Sequence, residues 1–349
     1  MREITGHGSG STVGIVSSLQ RVDLVTSPPG EYIPVIDLTG PRHEVARAID
    51  AACRESGFLV VTGHGVDADL IQRMHDVTLA LFLQPAEWKQ QWQPPADAAG
   101  LRGMHLVPSY VSAGEDIPTA PDLCELFTMC RLGEPEAARR AEQAGVPPAW
   151  RTPNIWPDRP AGLRETWLAY YAAMEVLASE LLHLFALGLG LPEDHFDRFV
   201  DEHITNLTAN YYPPVAAEPL PDQFRKGPHS DWGSLTILYQ DGVGGLEVFD
   251  RRSGGWAEVP ALPGTFVVNI GDLMARWTND RWQSTKHRVR IPPPERRGLQ
   301  RVSIPFFHHP NWDAVIECLP SCLGPDDEPR YGPVTAGDYL LQRVEATYR

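Results

Sequence analysis

From Ile204 onward the chain turns from helices to short strands. Ile204–Tyr212, Gly242–Asp250, Trp256–Val259 and Thr265–Ile270 each read as a strand, with turn residues between them. Regular short strands broken by turn signals are the pattern of a closed double-sheet jelly roll. The segment just before is the opposite in character. In Gly162–Leu189 the residues Leu163, Trp167, Tyr170, Met174, Leu177, Leu181 and Phe185 recur at helical spacing. Gly188-Leu189-Gly190-Leu191-Pro192 then supplies stop signals. That apolar stripe is best explained as packing against a sheet rather than as a cofactor box. The expected fold is mainly β with flanking helices around a jelly-roll core.

The N-terminal part adds smaller pieces. Pro41–Ser56 reads as a helix with Val45, Ile49 and Ala52 on one face, Phe58–Thr62 as a buried strand, and Asp67–Leu83 as a helix ended near Pro85. Gln93–Pro121 is polar and rich in Pro and Gly, a loop suited to crossing the mouth of a barrel. Arg102, His105 and Tyr110 are its candidate substrate contacts, although a surface role is the commoner fate of such residues. Leu123–Arg131 reads as a strand and Leu340–Arg349 as a closing helix. Residues 1–30 are rich in Gly, Ser and Thr and are expected to form a flexible arm. The expected division is therefore an arm (1–30), an N-terminal α/β region (31–160), and a helix plus jelly-roll core (161–349).

A formal net charge of −15 argues against nucleic acid or an anionic membrane as a partner. The 5 cysteines are sparse and form no Cys-x-x-Cys pair, which fits free thiols in a reducing cytoplasm. Met1–Arg21 lacks the apolar core of a secretory signal, and no run is read as approaching the length of a membrane span. The expectation is a cytoplasmic monomer or weak homo-oligomer acting on a small molecule.

Two short motifs carry the chemistry. His229 and Asp231 are two apart, and on a strand such residues share a face. The flanking Gly233–Tyr239 is rich in β-branched and apolar residues, so both are assigned to strand. His287, within the alternating Gln283–Ile291, is the candidate third ligand. Two imidazoles and one carboxylate on one face of a metal leave the other positions open, which suits Fe(II) that must meet substrate and O2. His195-Phe196-Asp197 has the same spacing, but it falls in a helix-prone segment where residues two apart diverge. Arg301-Val302-Ser303 places a guanidinium and a hydroxyl on one face, a grip for an organic acid. Arg251-Arg252-Ser253 repeats that pattern in a polar turn, where a solvated loop is the better reading.

Taken in order, Asn210-Tyr211-Tyr212-Pro213, His229-x-Asp231, Asn269-Ile270-Gly271-Asp272, His287 and Arg301-x-Ser303 resemble the non-haem Fe(II)/2-oxoglutarate-dependent dioxygenases of the isopenicillin N synthase-like family. Ile33–Leu38, Ser56–Val66, Asp122–Phe127 and Asn154-Ile155-Trp156-Pro157 extend the likeness over roughly residues 30 to 345. The resemblance implies a double-stranded β-helix (jelly-roll, cupin-like) core with Fe(II) on His229, Asp231 and His287. It implies 2-oxoglutarate as co-substrate, its far carboxylate held by Arg301, Ser303 and Tyr212, with Asn210 alongside. It further implies use of O2, release of succinate and CO2, and hydroxylation, desaturation or ring closure of a natural-product or amino-acid-derived molecule, a carboxylate-bearing one among the possibilities. Arg301 follows His287 by 14 residues, a longer hairpin than the family's usual one, which leaves Arg297 as the fallback anchor. An oxidase of the same fold that uses no 2-oxoglutarate is the alternative. A non-catalytic binding protein on this scaffold is the reading from another class. A zinc hydrolase is disfavoured because no general-base Glu stands beside the ligands.

Overall fold

The computed structural model describes residues 32–95, 102–106 and 120–347. The arm expected at 1–30, and Tyr110, lie outside the described residues. Two sheets face each other. Their strands are β1 (Val35–Asp37), β2 (Phe58–Thr62), β3 (Gly103–His105), β4 (Glu125–Cys130), β5 (Asn206–Tyr212), β6 (Lys226–His229), β7 (Leu235–Gln240), β8 (Leu246–Asp250), β9 (Gly255–Glu258), β10 (Phe266–Ile270), β11 (His287–Val289) and β12 (Arg301–His308). The larger sheet has the order β1-β2-β10-β7-β12-β5-β4-β3 and the smaller β6-β11-β8-β9. The N-terminal strands extend the larger sheet on both flanks, β2 pairing with β10 and β4 with β5.

Period-two patterning explains how one sheet serves two purposes. On β12, Val302, Ile304 and Phe306 enter the main apolar core, while Arg301, Ser303, Pro305 and Phe307 line a cavity between the sheets. On β5, Leu207, Ala209 and Tyr211 go to the core, while Asn206, Thr208, Asn210 and Tyr212 line the cavity. Register places Arg301 opposite Tyr212, Ser303 opposite Asn210 and Phe307 opposite Asn206. Each strand therefore presents an apolar edge outward and a chemically varied one inward.

The helix Leu163–Gly188 covers the outward face, as its stripe predicts. Tyr171 meets Phe306 edge-on at 5.1 Å, and Phe185 meets Trp282 at 5.1 Å. Fully buried side chains such as Trp167 and Phe185 each contribute about 1.5–3 kcal/mol. By length and composition this helix is long and apolar enough to cross a membrane, so the reading that no run reaches span length is corrected. Its apolarity is accounted for by burial between the sheet and the helices Arg42–Glu55 and Ala68–Phe82.

Three local expectations change. Part of the loop proposed for Gln93–Pro121 is strand β3, hydrogen-bonded to β4. The segment around His195 is not helical but a series of turns ending in a single 3-10 turn at Asp197–Phe199. The closing helix begins earlier than expected, at Ala336.

Candidate metal centre and cofactor pocket

His229, Asp231 and His287 converge at the centre of the cavity. They do so by a different route from the one strand alternation suggested. His229 is the last residue of β6 in the smaller sheet, and β7 in the larger sheet begins only at Leu235. Asp231 lies in the link that crosses between the two sheets. His287 opens β11 and pairs directly with His229. The expected strand over Gln283–Ile291 is thus only three residues long.

The crossing is tight and needs small residues. A Cβ on Gly271 would lie 2.2 Å from the Gly233 carbonyl oxygen, and one on Gly233 would lie 2.2 Å from that of His308. The glycine of Asn269-Ile270-Gly271-Asp272 therefore allows the link that carries Asp231 to pass. Asp272 follows as a hub. Its amide donates to the Asp231 carbonyl at 2.8 Å, and its carboxylate accepts from Ser284, Tyr339 and Arg343 at 2.6, 2.9 and 2.5 Å. Ser230 donates to the same carboxylate at 3.4 Å.

Each candidate ligand is held with a defined atom free. His229 Nδ1 donates to the Gly227 carbonyl at 2.9 Å and His287 Nδ1 to that of Thr285 at 3.2 Å. Those bonds leave both Nε2 lone pairs aimed inward. Asp231 Oδ2 accepts from Thr236 Oγ1 at 2.6 Å and Asn269 Nδ2 at 2.7 Å. Its Oδ1 lies 3.9 Å from His229 Nε2 and 3.6 Å from His287 Nε2, too far for hydrogen bonds. Ligand atoms that each lie about 2.1 Å from one ion are at most about 4.2 Å apart, so both separations suit a shared metal. Burial, reinforced by the charge of His287, lowers His229 to about 3, so it is a neutral donor at pH 7. Burial alone would raise the Asp231 carboxyl. The charges of His287 and His229 and the hydrogen bonds from Thr236 and Asn269 outweigh it and hold the group below the usual range.

Arg301 lies at one end of the cavity and is 1% exposed. Its Nη2 reaches Gln240 Oε1 at 3.2 Å, and its guanidinium lies 5.0 Å from the Tyr212 ring centre. Nε and Nη1 have no partner among the described residues. A buried guanidinium without an anion is costly, and a diacid reaching from the metal would supply one. Asn210 donates to Ser303 Oγ at 3.4 Å beside it, and burial keeps the Tyr212 hydroxyl protonated. Arg297 is not the anchor: it pairs with Glu218 at 2.6 Å away from the cavity. The donor set and the orphaned guanidinium thus fit ferrous iron and 2-oxoglutarate.

These features agree with similarity to known proteins. The 2OG-Fe(II) oxygenase superfamily model matches residues 204–310, and the N-terminal model of non-haem dioxygenases in morphine synthesis matches 33–159. The 2-oxoglutarate-Fe(II) type oxidoreductase hxnY of Emericella nidulans is 32% identical over 335 residues, covering 93% of this chain and 91% of the relative. This chain belongs to the 2OG-Fe(II) oxygenase superfamily. It is a 2-oxoglutarate-dependent dioxygenase that uses Fe(II). Validamycin A dioxygenase of Streptomyces hygroscopicus subsp. limoneus is 33% identical over 84% of the oxygenase chain and 80% of its own. Among solved structures, full-length Neurospora crassa T7H in complex with alpha-KG and thymine superposes with a TM-score of 0.78 at 29% identity, covering 91% of this chain and 98% of that one. JOX2 in complex with 2OG, Fe and JA gives 0.73 at 28%, covering 89% and 85%.

The substrate contacts named from sequence fare differently from the ligands. Arg102 and His105 do not line the oxygenase cavity. Arg102 is buried and donates to the Trp150 carbonyl at 2.9 Å, while His105 lies on the outer strand β3. Arg102 therefore supports Trp150, which does line the cavity. The roles missed are those of Thr236 and Asn269 behind Asp231, and of Asn206, Thr208, Trp232 and His309 beyond the candidate ligands. The signal for three of these was present. Asn206 and Thr208 continue the inward alternation of Asn210 and Tyr212, and His309 continues that of Arg301 through Phe307.

Proposed function

We propose that this oxygenase hydroxylates, desaturates or cyclises a small molecule of natural-product or amino-acid-derived metabolism. In this reading His229, Asp231 and His287 are the iron ligands. Arg301, Ser303, Tyr212 and Asn210 seat the far carboxylate of 2-oxoglutarate. The observation that carries it is the pairing of a three-atom ligand face with a buried, anion-free guanidinium in one cavity of about 220 Å³. The breadth of substrate class draws on relatives such as validamycin A dioxygenase and rice homoarginine-6-hydroxylase, the latter 31% identical over 86% of this chain.

When bound, ferrous iron supplies O2 activation coupled to oxidative decarboxylation of 2-oxoglutarate. The chain's own residues do the rest. Gly227 and Thr285 hold the imidazole tautomers, and Thr236 and Asn269 occupy one carboxylate oxygen so that Asp231 offers the other. Arg301 fixes the register of the diacid. Phe58, Leu238, Leu246 and Val289 wall that end with apolar surface and exclude water. Turnover measured with a panel of such substrates should give one succinate per product, and His287→Ala should abolish both. Product formed without succinate, or full activity in that variant, would overturn the reading.

A further inference from the structure

The cavity continues past the metal site, away from Arg301, and that far end has its own chemistry. Along β12 the lining passes from Arg301 through Ser303 and Pro305 to Phe307, then His309. Arg301 and Phe307 are six residues apart, about 20 Å of strand. On the paired strand β5 it passes from Tyr212 to Asn206. Trp150, Ile204 and Leu340 close the far end with apolar surface, and Trp232 stands beside the ligand link.

Polar groups there are unspent. Asn206 Nδ2 donates once, to Thr208 Oγ1 at 3.3 Å, and its Oδ1 accepts from nothing among the described residues. His309 is 6% exposed, and its Nδ1 is buried beside Gly233 with no hydrogen-bond partner among the described residues. The Trp232 indole N–H likewise donates to no described residue. Among the described residues, the charged ones lining the cavity are Asp231, Lys226 and Arg301. Asp231 serves the metal. Lys226 lies 3.8 Å from Asp122 and acts with Arg301 on Cys124, which puts it toward the diacid end.

We propose that the far end recognises an uncharged, planar group bearing both a hydrogen-bond donor and an acceptor, such as an amide, lactam or nitrogen heterocycle, through Asn206, His309 and Trp232. This rests on the oxygenase reading of the site and adds the substrate class to it. A carboxylate offers only acceptors and an ammonium only donors, whereas this end presents both kinds. Either charge would also be buried without a counter-charge among the described residues, which is strongly unfavourable. An amide leaves no such deficit, and the flat aromatic walls of Trp150, Trp232 and Phe307 suit a planar body.

The test uses the Fe(II)- and 2-oxoglutarate-loaded enzyme kept free of oxygen. Benzamide, uracil and 2-pyridone are compared with benzoate, orotate and benzylamine. Binding is read as broadening of fragment proton signals by the paramagnetic iron, with a Zn(II)-loaded sample as control. The uncharged set should bind near the metal. Asn206→Leu and, independently, Trp232→Phe should each weaken that binding at least tenfold, with folding checked by thermal melting. Preferential binding of the charged set, no binding of the uncharged set, or uncharged binding that both variants retain would each overturn the proposal. Calorimetric titration of 2-oxoglutarate into the same enzyme separates the two levels. A normal isotherm alongside the wrong fragments removes only this inference, while no isotherm removes the reading beneath it.

Discussion

Replacing Arg301 with Met is the most informative single change. Among the described residues the guanidinium, 1% exposed, makes one side-chain hydrogen bond to Gln240 and stacks near Tyr212, while Nε and Nη1 have no partner. In the complex the unpartnered side of the guanidinium would donate charge-assisted hydrogen bonds to the far carboxylate. Truncating one partner of a buried, hydrogen-bonded charge pair costs about 2–5 kcal/mol. That corresponds to a rise of about 30-fold to several thousand-fold in Kd for 2-oxoglutarate. The protein without 2-oxoglutarate should respond in the opposite direction. Met fills similar volume and removes a buried charge that has no anion, so its melting temperature should hold or rise. Calorimetry on Mn(II)-loaded protein measures the first quantity and thermal melting the second. A 2-oxoglutarate affinity within threefold of the wild type would refute the argument, as would strong destabilisation of the unliganded protein.

Other consequences follow from the same geometry. His287→Ala removes one of three ligand atoms, and anaerobically purified variant should retain less than a tenth of the wild-type iron by metal analysis. Asp272→Ala disconnects Tyr339 and Arg343 of the C-terminal helix from the ligand link. It should cost about 1–3 kcal/mol in urea unfolding and speed amide exchange over 336–347. Asp272→Asn, which keeps part of the network, should fall between. Burial, then the charges of His203 and His309, drives the His308 pKa well below its ordinary value. The native state therefore holds fewer protons than the unfolded chain. His308 favours folding fully above about pH 6.5, and that contribution is lost as pH falls toward its native value. Between pH 7.5 and 5.5 the loss should be on the order of 1 kcal/mol from this residue alone. Urea unfolding of the metal-free protein at both values measures the total, and His308→Asn should flatten the slope by about that amount.

Much of this site was legible in the sequence, though partly through an argument that the structure replaces. Alternation on β5 and β12 was readable because each strand separates two environments, so Arg301, Ser303, Asn210 and Tyr212 fall together by register. The long helix was readable because its stripe packs on one sheet face. Arg102 falls outside the cavity lining, and a buried cation can be satisfied by carbonyls, here those of Trp150 and Thr152, as well as by a ligand. Nothing in a local window distinguishes the two. The same limit hid the role of Asp272, whose partners Ser284, Tyr339 and Arg343 are spread through the later chain.

His229-x-Asp231 is the instructive case. Its two-residue spacing was explained by a shared strand face, yet Asp231 is in the crossing link and His229 ends a strand of the other sheet. The spacing works because a link leaving one sheet for the opposite one passes the cavity's midline just after the strand stops. The pair is therefore positioned by the crossing itself, which Gly233 and Gly271 make possible. A strand-face pair would tolerate Gly271→Ala, because neither ligand would move. A crossing pair would not, since the added methyl falls 2.2 Å from the Gly233 carbonyl and one of the two segments must shift. Gly271→Ala should thus lose iron affinity at least tenfold while 2-oxoglutarate contacts at Arg301 stay in place. Metal titration of that variant checks the argument, and unchanged iron binding would show that the close passage at Gly271 does not position the pair.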